Sequence, residues 1–280
     1  MGRLKNILFL SASLLVSIGL YAANDTIVRL QLHKSIPGNF SNFYVDNMEN
    51  FYVLSNAGQQ VKKLDANGDS VALLNLARMY GDIYSLDVSN PLSILVYYKD
   101  FGTVVALDRF LNVWKTIDLR NAGINQAKAV ALSYDNNLWV YDQLEQKIKK
   151  IDNNGNVLLA SNDLRLQFSE APNPSQIIDN NGMLYLYDEA EGWYVFDYYG
   201  AFKKRIAFPN CKDVCIVDNK LIGRDSNNFY IKAPTGFSYR SFSIDVPMKE
   251  VIRFRQNGNR MYLLKQDGLF IYDIVQPIDN

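Results

Sequence analysis

One histidine and two cysteines are all that 280 residues carry, and their scarcity excludes a good deal of chemistry. His33, Cys211 and Cys215 cannot complete an ordinary zinc site, which takes four such ligands. Proton shuttling by imidazole has only His33 to draw on. A disulfide between Cys211 and Cys215 is also poorly placed. If residue 215 lies in a strand, extended chain holds the two Cα atoms about 13 Å apart, beyond bridging distance. Two free thiols are the expectation, unless a turn at Lys212-Asp213 folds the pair together. The chain has no G-x-S-x-G elbow and no glycine-rich phosphate loop. Nor has it a surplus of charge: 29 basic residues face 29 acidic ones, so nothing pulls it toward nucleic acid or an anionic membrane. The expectation is a chain with no cofactor, no metal and no nucleic-acid partner.

What the N-terminus does have is a basic start (Arg3, Lys5), an apolar run from Ile7 to Leu20, and Ala22-Ala23 before Asn24-Asp25. This reads as a signal peptide over residues 1–22, its apolar core too short to span a bilayer comfortably. Leu20 stands where a small residue is usual for cleavage after Ala22, so an uncleaved anchor is the other reading. No cysteine follows the run, so no lipid anchor is expected at a new terminus.

The rest of the chain repeats itself. NFYVLSNAGQQVKKLDANGDSVALL from Asn50 and NLWVYDQLEQKIKKIDNNGNVLLAS from Asn137 are the clearest copies. MLYLYDEAEGWYVFDYYGAFKKRIAF from Met183 and LSILVYYKDFGTVVALDRFLNVWKTI from Leu92 are looser ones. Each offers an apolar strand, a polar turn, a second strand ending in Asp, a short turn and a third strand. Those Asp residues fall at 65, 108, 152 and 197, about 44 residues apart, and again at 273. In the gap, Phe229 to Phe237 fills one unit, with Ala233 in place of the Asp. Six units of four strands predict an all-β, six-bladed β-propeller of antiparallel blades. The blades are expected over residues 37–77, 82–119, 127–162, 174–208, 212–245 and 249–276, within one domain spanning 23–280. The last unit lacks a fourth strand, and the alternating strand 26–33 belongs to no unit. Pairing the two closes the ring and puts His33 on an outer strand. The repeated Asp needs no catalysis, since a short carboxylate at a strand end caps the backbone N–H groups of the turn after it.

The pattern apolar-apolar-Asp-x-x-Gly after a Lys-rich strand, as in Lys62-Lys63-Leu64-Asp65-Ala66-Asn67-Gly68 and Lys149-Lys150-Ile151-Asp152-Asn153-Asn154-Gly155, resembles the NHL and six-bladed propeller superfamily. Unit two departs from it at Leu111 and unit five at Ala233, and those irregular copies are where a contact surface is expected. The resemblance implies a propeller. It leaves open protein scaffolds, sugar- and RNA-binding modules, lactonases and lyases, because fold does not choose function.

Propeller chemistry gathers where loops meet the innermost strands. Here those loops bring Asp82, Lys128, Lys212, Asp213, Lys249 and Glu250, acids interleaved with lysines that oppose a cation and suggest ion pairs at the channel mouth. The aromatic run through Tyr185, Tyr187, Trp193, Tyr194, Phe196, Tyr198 and Tyr199 is the densest in the chain. Its hairpin around Glu189–Trp193 makes Trp193 and Tyr194 candidate binding residues, set against the plainer reading that these rings pack between blades. The resulting expectation is an exported, non-enzymatic binding or scaffold propeller, periplasmic, outer-membrane-associated or secreted. Its partner would be a protein in a bacterial cell-envelope assembly, such as an outer-membrane transport or secretion machine. The alternative is a channel-mouth enzyme of the lactonase or hydrolase type, or a carbohydrate binder.

Overall fold

A computed structural model of the protein describes residues 26–55 and 59–275; the signal peptide expected over residues 1–22 lies outside them. The described residues start with two strands, β1 (Thr26–Val28) and β2 (Leu30–Pro37). The first blade follows as β3 (Phe40–Val45), β4 (Phe51–Ser55), β5 (Gln60–Leu64) and β6 (Ser70–Leu74). The second is β7 (Ser85–Asp87), β8 (Ile94–Tyr98), β9 (Thr103–Leu107) and β10 (Val113–Asp118). The third is β11 (Ala127–Leu132), β12 (Leu138–Asp142), β13 (Lys147–Ile151) and β14 (Val157–Ala160). The fourth is β15 (Gln176–Asn180), β16 (Met183–Asp188), β17 (Gly192–Asp197) and β18 (Phe202–Ile206). The fifth is β19 (Lys212–Val217), β20 (Lys220–Arg224), β21 (Phe229–Lys232) and β22 (Arg240–Ile244). The sixth has β23 (Arg253–Asn257), β24 (Arg260–Lys265) and β25 (Gly268–Ile274), completed by β2 on its outer edge. The protein is a six-bladed propeller of antiparallel four-stranded blades, its ring closed by the N-terminal chain.

Closure differs in detail from the sequence expectation. The outer strand of the sixth blade is residues 30–37, paired with β25 from Leu30 opposite Ile274 to Pro37 opposite Gly268. Residues 26–28 instead run parallel to β22, adding a fifth strand to the fifth blade. The chain steps from one blade to the next at Arg29, where Asp245 Oδ1 accepts from the Leu30 amide at 3.0 Å. One short segment therefore ties two blades together and covers the edges of both. His33 does lie on the outer strand, its Nδ1 3.0 Å from Asp273 Oδ2.

The hydrophobic core lies between blades, not within them. Six apolar clusters go round the ring, each built from two neighbours. Tyr52, Leu54 and Val61 of the first blade meet Leu86, Ile94 and Val105 of the second. Phe43 and Phe51 of the first meet Tyr262, Leu264 and Leu269 of the sixth. Because each blade is covered on both sides, its two middle strands are mostly buried, wholly so in Leu138–Asp142, and the alternation expected of half-buried strands survives best on the outer ones. The buried lysines of the third blade's middle strand are paired: Lys149 Nζ reaches Asp142 Oδ2 at 2.8 Å, and Lys150 Nζ reaches Asp135 Oδ2 at 2.6 Å over the Trp139 ring.

The strand-end Asp residues close turns. Asp65 Oδ1 accepts from the amides of Asn67 and Asp69, each at 2.9 Å. Asp108, Asp152 and Asp197 take the amides two and four residues on in the same way. The fourth turn residue carries a positive φ, supplied by Gly68, Gly155 and Gly200. In the second blade Leu111 holds it at φ 62°. Leu111 is buried in the cluster between blades one and two, so it is not contact surface: its backbone obeys the turn while its side chain serves the core. In the fifth blade Ala233 accepts only through its carbonyl, from Gly236 at 2.9 Å, and the longer loop that follows leaves Phe237 fully exposed.

Candidate functional site

The innermost strands β3, β7, β11, β15, β19 and β23 surround a central channel of about 520 Å³. All six run the same way, so they begin at one mouth, here called upper, and end at the lower one. Three carboxylates line the channel: Asp87, Asp179 and Asp213. Asp87 accepts from the Leu132 amide of the next blade at 2.7 Å. Asp179 takes the Trp139 indole N–H at 3.0 Å, the Tyr134 amide at 3.2 Å and the Tyr198 hydroxyl. Both acids, half-buried, are thus bound into neighbouring backbone and side chains.

Asp213 sits in a different setting. It adopts φ 53°, and its carboxylate is met by three arginines of blades five and six. Arg224 Nε and Nη2 both meet Oδ2 at 2.8 Å, short charge-assisted contacts converging on one oxygen. Arg253 Nη1 and Arg255 Nη1 stand 3.4 and 3.5 Å from Oδ1. Arg253 and Arg255 lie two residues apart on β23 and both line the channel. The Arg255 guanidinium also lies 5.3 Å from the centre of the Tyr44 ring. Cys215 lines the same wall; burial pushes its thiol up to about 11, against the opposing pull of Arg255, so it is neutral at pH 7 and a poor nucleophile. Cys211 is buried, also pushed up by burial to about 12, and both cysteines are free.

The expected mouth residues are scattered among several roles. Asp213 is in the channel. Lys212 and Lys249 line a shallower hollow at the upper mouth, with Arg224 and Arg253. Glu250 pairs with Lys265 at 3.3 Å. Asp82 is exposed, Lys128 half-buried, and neither lines the channel. Among the described residues Asp82, Lys128, Lys212 and Lys249 form no ion pair with one another. Trp193 is turned fully inward. It already belongs to β17, opposite Tyr187, and packs against Tyr187 and Phe208 at 4.8 and 6.4 Å between ring centres. Tyr194 is buried on the other side of that strand, with Phe168 edge-on at 5.1 Å. The hairpin tip is Glu189–Glu191, one residue short of exposing the indole. The arginines escaped sequence reading, although Arg253-Phe254-Arg255 in an innermost strand was the available signal: alternation puts both charges on one side and the phenylalanine on the other.

A second feature lies on the lower face, where turns join the third and fourth strands. Asn67 and Asn154 occupy the third turn position in blades one and three, and Phe110 and Tyr199 the same position in blades two and four. Phe110 is 52% exposed and Tyr199 83%. On the same face Tyr134 is exposed and stacks on Tyr198 at 4.7 Å and 5°, with Lys150 Nζ 4.9 Å from the Tyr134 ring centre.

No known family model matches the chain, and no curated protein matches it by sequence. By structure it is similar to a streptogramin B lyase, with 15% identity over 83% of this chain and 78% of that one and a TM-score of 0.58. It is also similar to a catalytically inactive virginiamycin B lyase from Staphylococcus aureus with quinupristin, at 12% identity, 91% and 97% coverage and a TM-score of 0.60. The WD40 β-propeller domain of Doa1 gives 9% identity, 89% and 98% coverage and a TM-score of 0.58. Lyases and a WD40 domain at such identities have in common with this chain the β-propeller and nothing narrower.

Proposed function

We propose that the protein is a non-catalytic binding propeller, exported to the bacterial cell envelope, whose lower face docks another protein. The carrying observation is the aromatic replacement at equivalent turn positions. Asn67 and Asn154 close their turns without an aromatic, so Phe110 and Tyr199 are surplus to the fold. Single exposed apolar side chains are ordinary on any surface. These two share a turn position and a face with Phe237, Tyr134 and Leu92, all strongly exposed, and exposed aromatics give large contact area at small entropy cost. Export rests on the signal-like residues 1–22. The channel-mouth hydrolase reading is weakened by geometry: Asp82, Asp213 and Glu250 do not converge, and Asp213 is held by arginines. A second reading, carbohydrate binding, draws on the stacked Tyr134–Tyr198 pair, whose outer ring offers a flat face to a sugar.

The test is capture from cross-linked envelopes of the native host, comparing wild type with the triple variant Phe110→Asn, Tyr199→Asn, Phe237→Ser. A stoichiometric protein partner is expected with wild type and is lost in the variant at unchanged melting temperature. Recovery of free monomer alone would overturn the reading. Retention on immobilised envelope glycan, abolished by Tyr134→Ala, would move the assignment to carbohydrate.

A further inference from the structure

We infer that the central channel is a binding site for the carboxylate of a small organic acid, gripped by Arg253 and Arg255 of β23. This site is separate from the lower face and does not depend on it. Three guanidiniums surround the one carboxylate of Asp213, and Arg224 alone is enough to hold it. Arg224 makes both short contacts to Asp213 and spends a further N–H on the Ile252 carbonyl at 2.8 Å. Arg253 and Arg255 reach Asp213 only at 3.4 and 3.5 Å, and Arg255 Nη1 also donates to the Phe254 carbonyl at 2.8 Å, which still leaves each with donors to spare. Arg253 Nε is buried without a hydrogen-bond partner among the described residues. An arginine carries five N–H donors in a planar fork, so the unspent guanidinium N–H groups on the channel side are free to meet an acceptor that a ligand brings, and unmet donors in a partly buried site are costly.

The rest of the channel defines the ligand. Val130, Ile177 and Ile178 line it as well, so an acid with an apolar body fits better than a bare inorganic anion. The charge balance points to a monoanion. Asp87 and Asp179 also line the channel and would repel a dianion such as phosphate. Around Asp213 three guanidiniums meet one carboxylate, so on this wall one added carboxylate finds charge that Asp213 leaves uncompensated. The planar pairing of guanidinium with carboxylate supplies the geometry.

Titration calorimetry on the full-length protein tests this with benzoate, phenylacetate and hexanoate, each beside its neutral amide, and with inorganic phosphate. One-to-one binding of at least one acid is expected, about tenfold or more tighter than its amide. Arg253→Gln and Arg255→Gln should each weaken that acid about tenfold, with the melting temperature recording that the fold is intact. A tetrapeptide with a free C-terminus, run beside its amidated twin, tells a chain terminus from a free acid: tighter binding of the free peptide keeps the carboxylate site and assigns its source. Should either variant fail to fold, wild-type affinity measured across a salt series replaces it, and the acid's affinity must fall with salt while the amide's does not. Equal binding of acid and amide, affinity unchanged in the folded variants, preference for phosphate, or no saturation by any acid at about 10 mM would each overturn the proposal.

Discussion

Leu111 places two demands on one residue. Its φ of 62° is a conformation that costs a side-chain-bearing residue about 1–3 kcal/mol, and the other regular turns avoid the cost with glycine. Its side chain, however, is 4% exposed in the cluster between the first two blades. Deleting a buried leucine side chain costs about 3–5 kcal/mol, and glycine adds further loss through the freer unfolded chain. Burial outweighs backbone strain. Leu111→Gly, which restores the repeat pattern, should therefore lower stability by about 2 kcal/mol, read as a lower urea midpoint. A variant as stable as wild type, or more so, would show that the side chain contributes little packing. Lys63 of the first blade also donates to the Arg109 carbonyl in the same turn at 2.8 Å, fixing the turn against its neighbour. The pattern fault is thus a packing device, a role that spacing alone cannot reveal because it depends on what lies across the blade interface.

Among the elements, β2 carries the most leverage, since it closes the ring without belonging to a continuous blade. Its last pair sets Pro37 opposite Gly268. At Gly268 an added Cβ would run into the Ile36 carbonyl oxygen and stand 3.0 Å from Pro37 Cα, so the two backbones approach too closely for any side chain. Gly268→Ala should push β2 away from β25 and cost about 1–3 kcal/mol. Hydrogen exchange locates the damage: amides of residues 30–37 should lose protection in Gly268→Ala before those of the third blade do. Uniform loss across both regions would sink the local account. The closing strand also shows how far sequence reading reaches. TIVRLQLH alternates from Val28 onward with no turn residue in it, so residues 26–33 read as one strand. The division at Arg29 comes from Asp245, which takes the Leu30 amide and lies more than two hundred residues away. The blades were legible because Asp caps and Asn-Gly turns are local devices. The inward turn of Trp193 and the arginine cluster around Asp213 were not, since each is settled by the neighbouring blade: Phe208 and Leu221 enclose the indole, and β19 brings Asp213 to β23.

At the scale of the whole molecule, six cores shared between neighbours make the ring a single cooperative unit. No blade owns a core, so losing one blade removes two clusters and leaves the adjoining faces bare. An open array of repeats behaves differently, each unit leaning on its neighbours with interfaces that add nearly independently. Closure by β1 and β2 removes the ends from which such an array would fray. The two buried tryptophans can tell these cases apart. Trp139 lies in the cluster between blades three and four, and Trp193 in the cluster between blades four and five. Phe254 lies in neither; it packs between blades five and six, edge-on to Phe229 at 4.7 Å. Phe254→Ala should cost about 3–5 kcal/mol through lost burial and the cavity left behind. In a cooperative ring that loss is felt everywhere. With Trp114 replaced by Phe to remove its exposed signal, single-tryptophan versions retaining Trp139 or Trp193 should give the same denaturant midpoint, and Phe254→Ala should shift both equally. If the Trp193 signal moves while the Trp139 signal stays, the ring unfolds blade by blade. The rigid disc needed to hold its lower-face aromatics and channel arginines in register would then rest on local packing instead of closure.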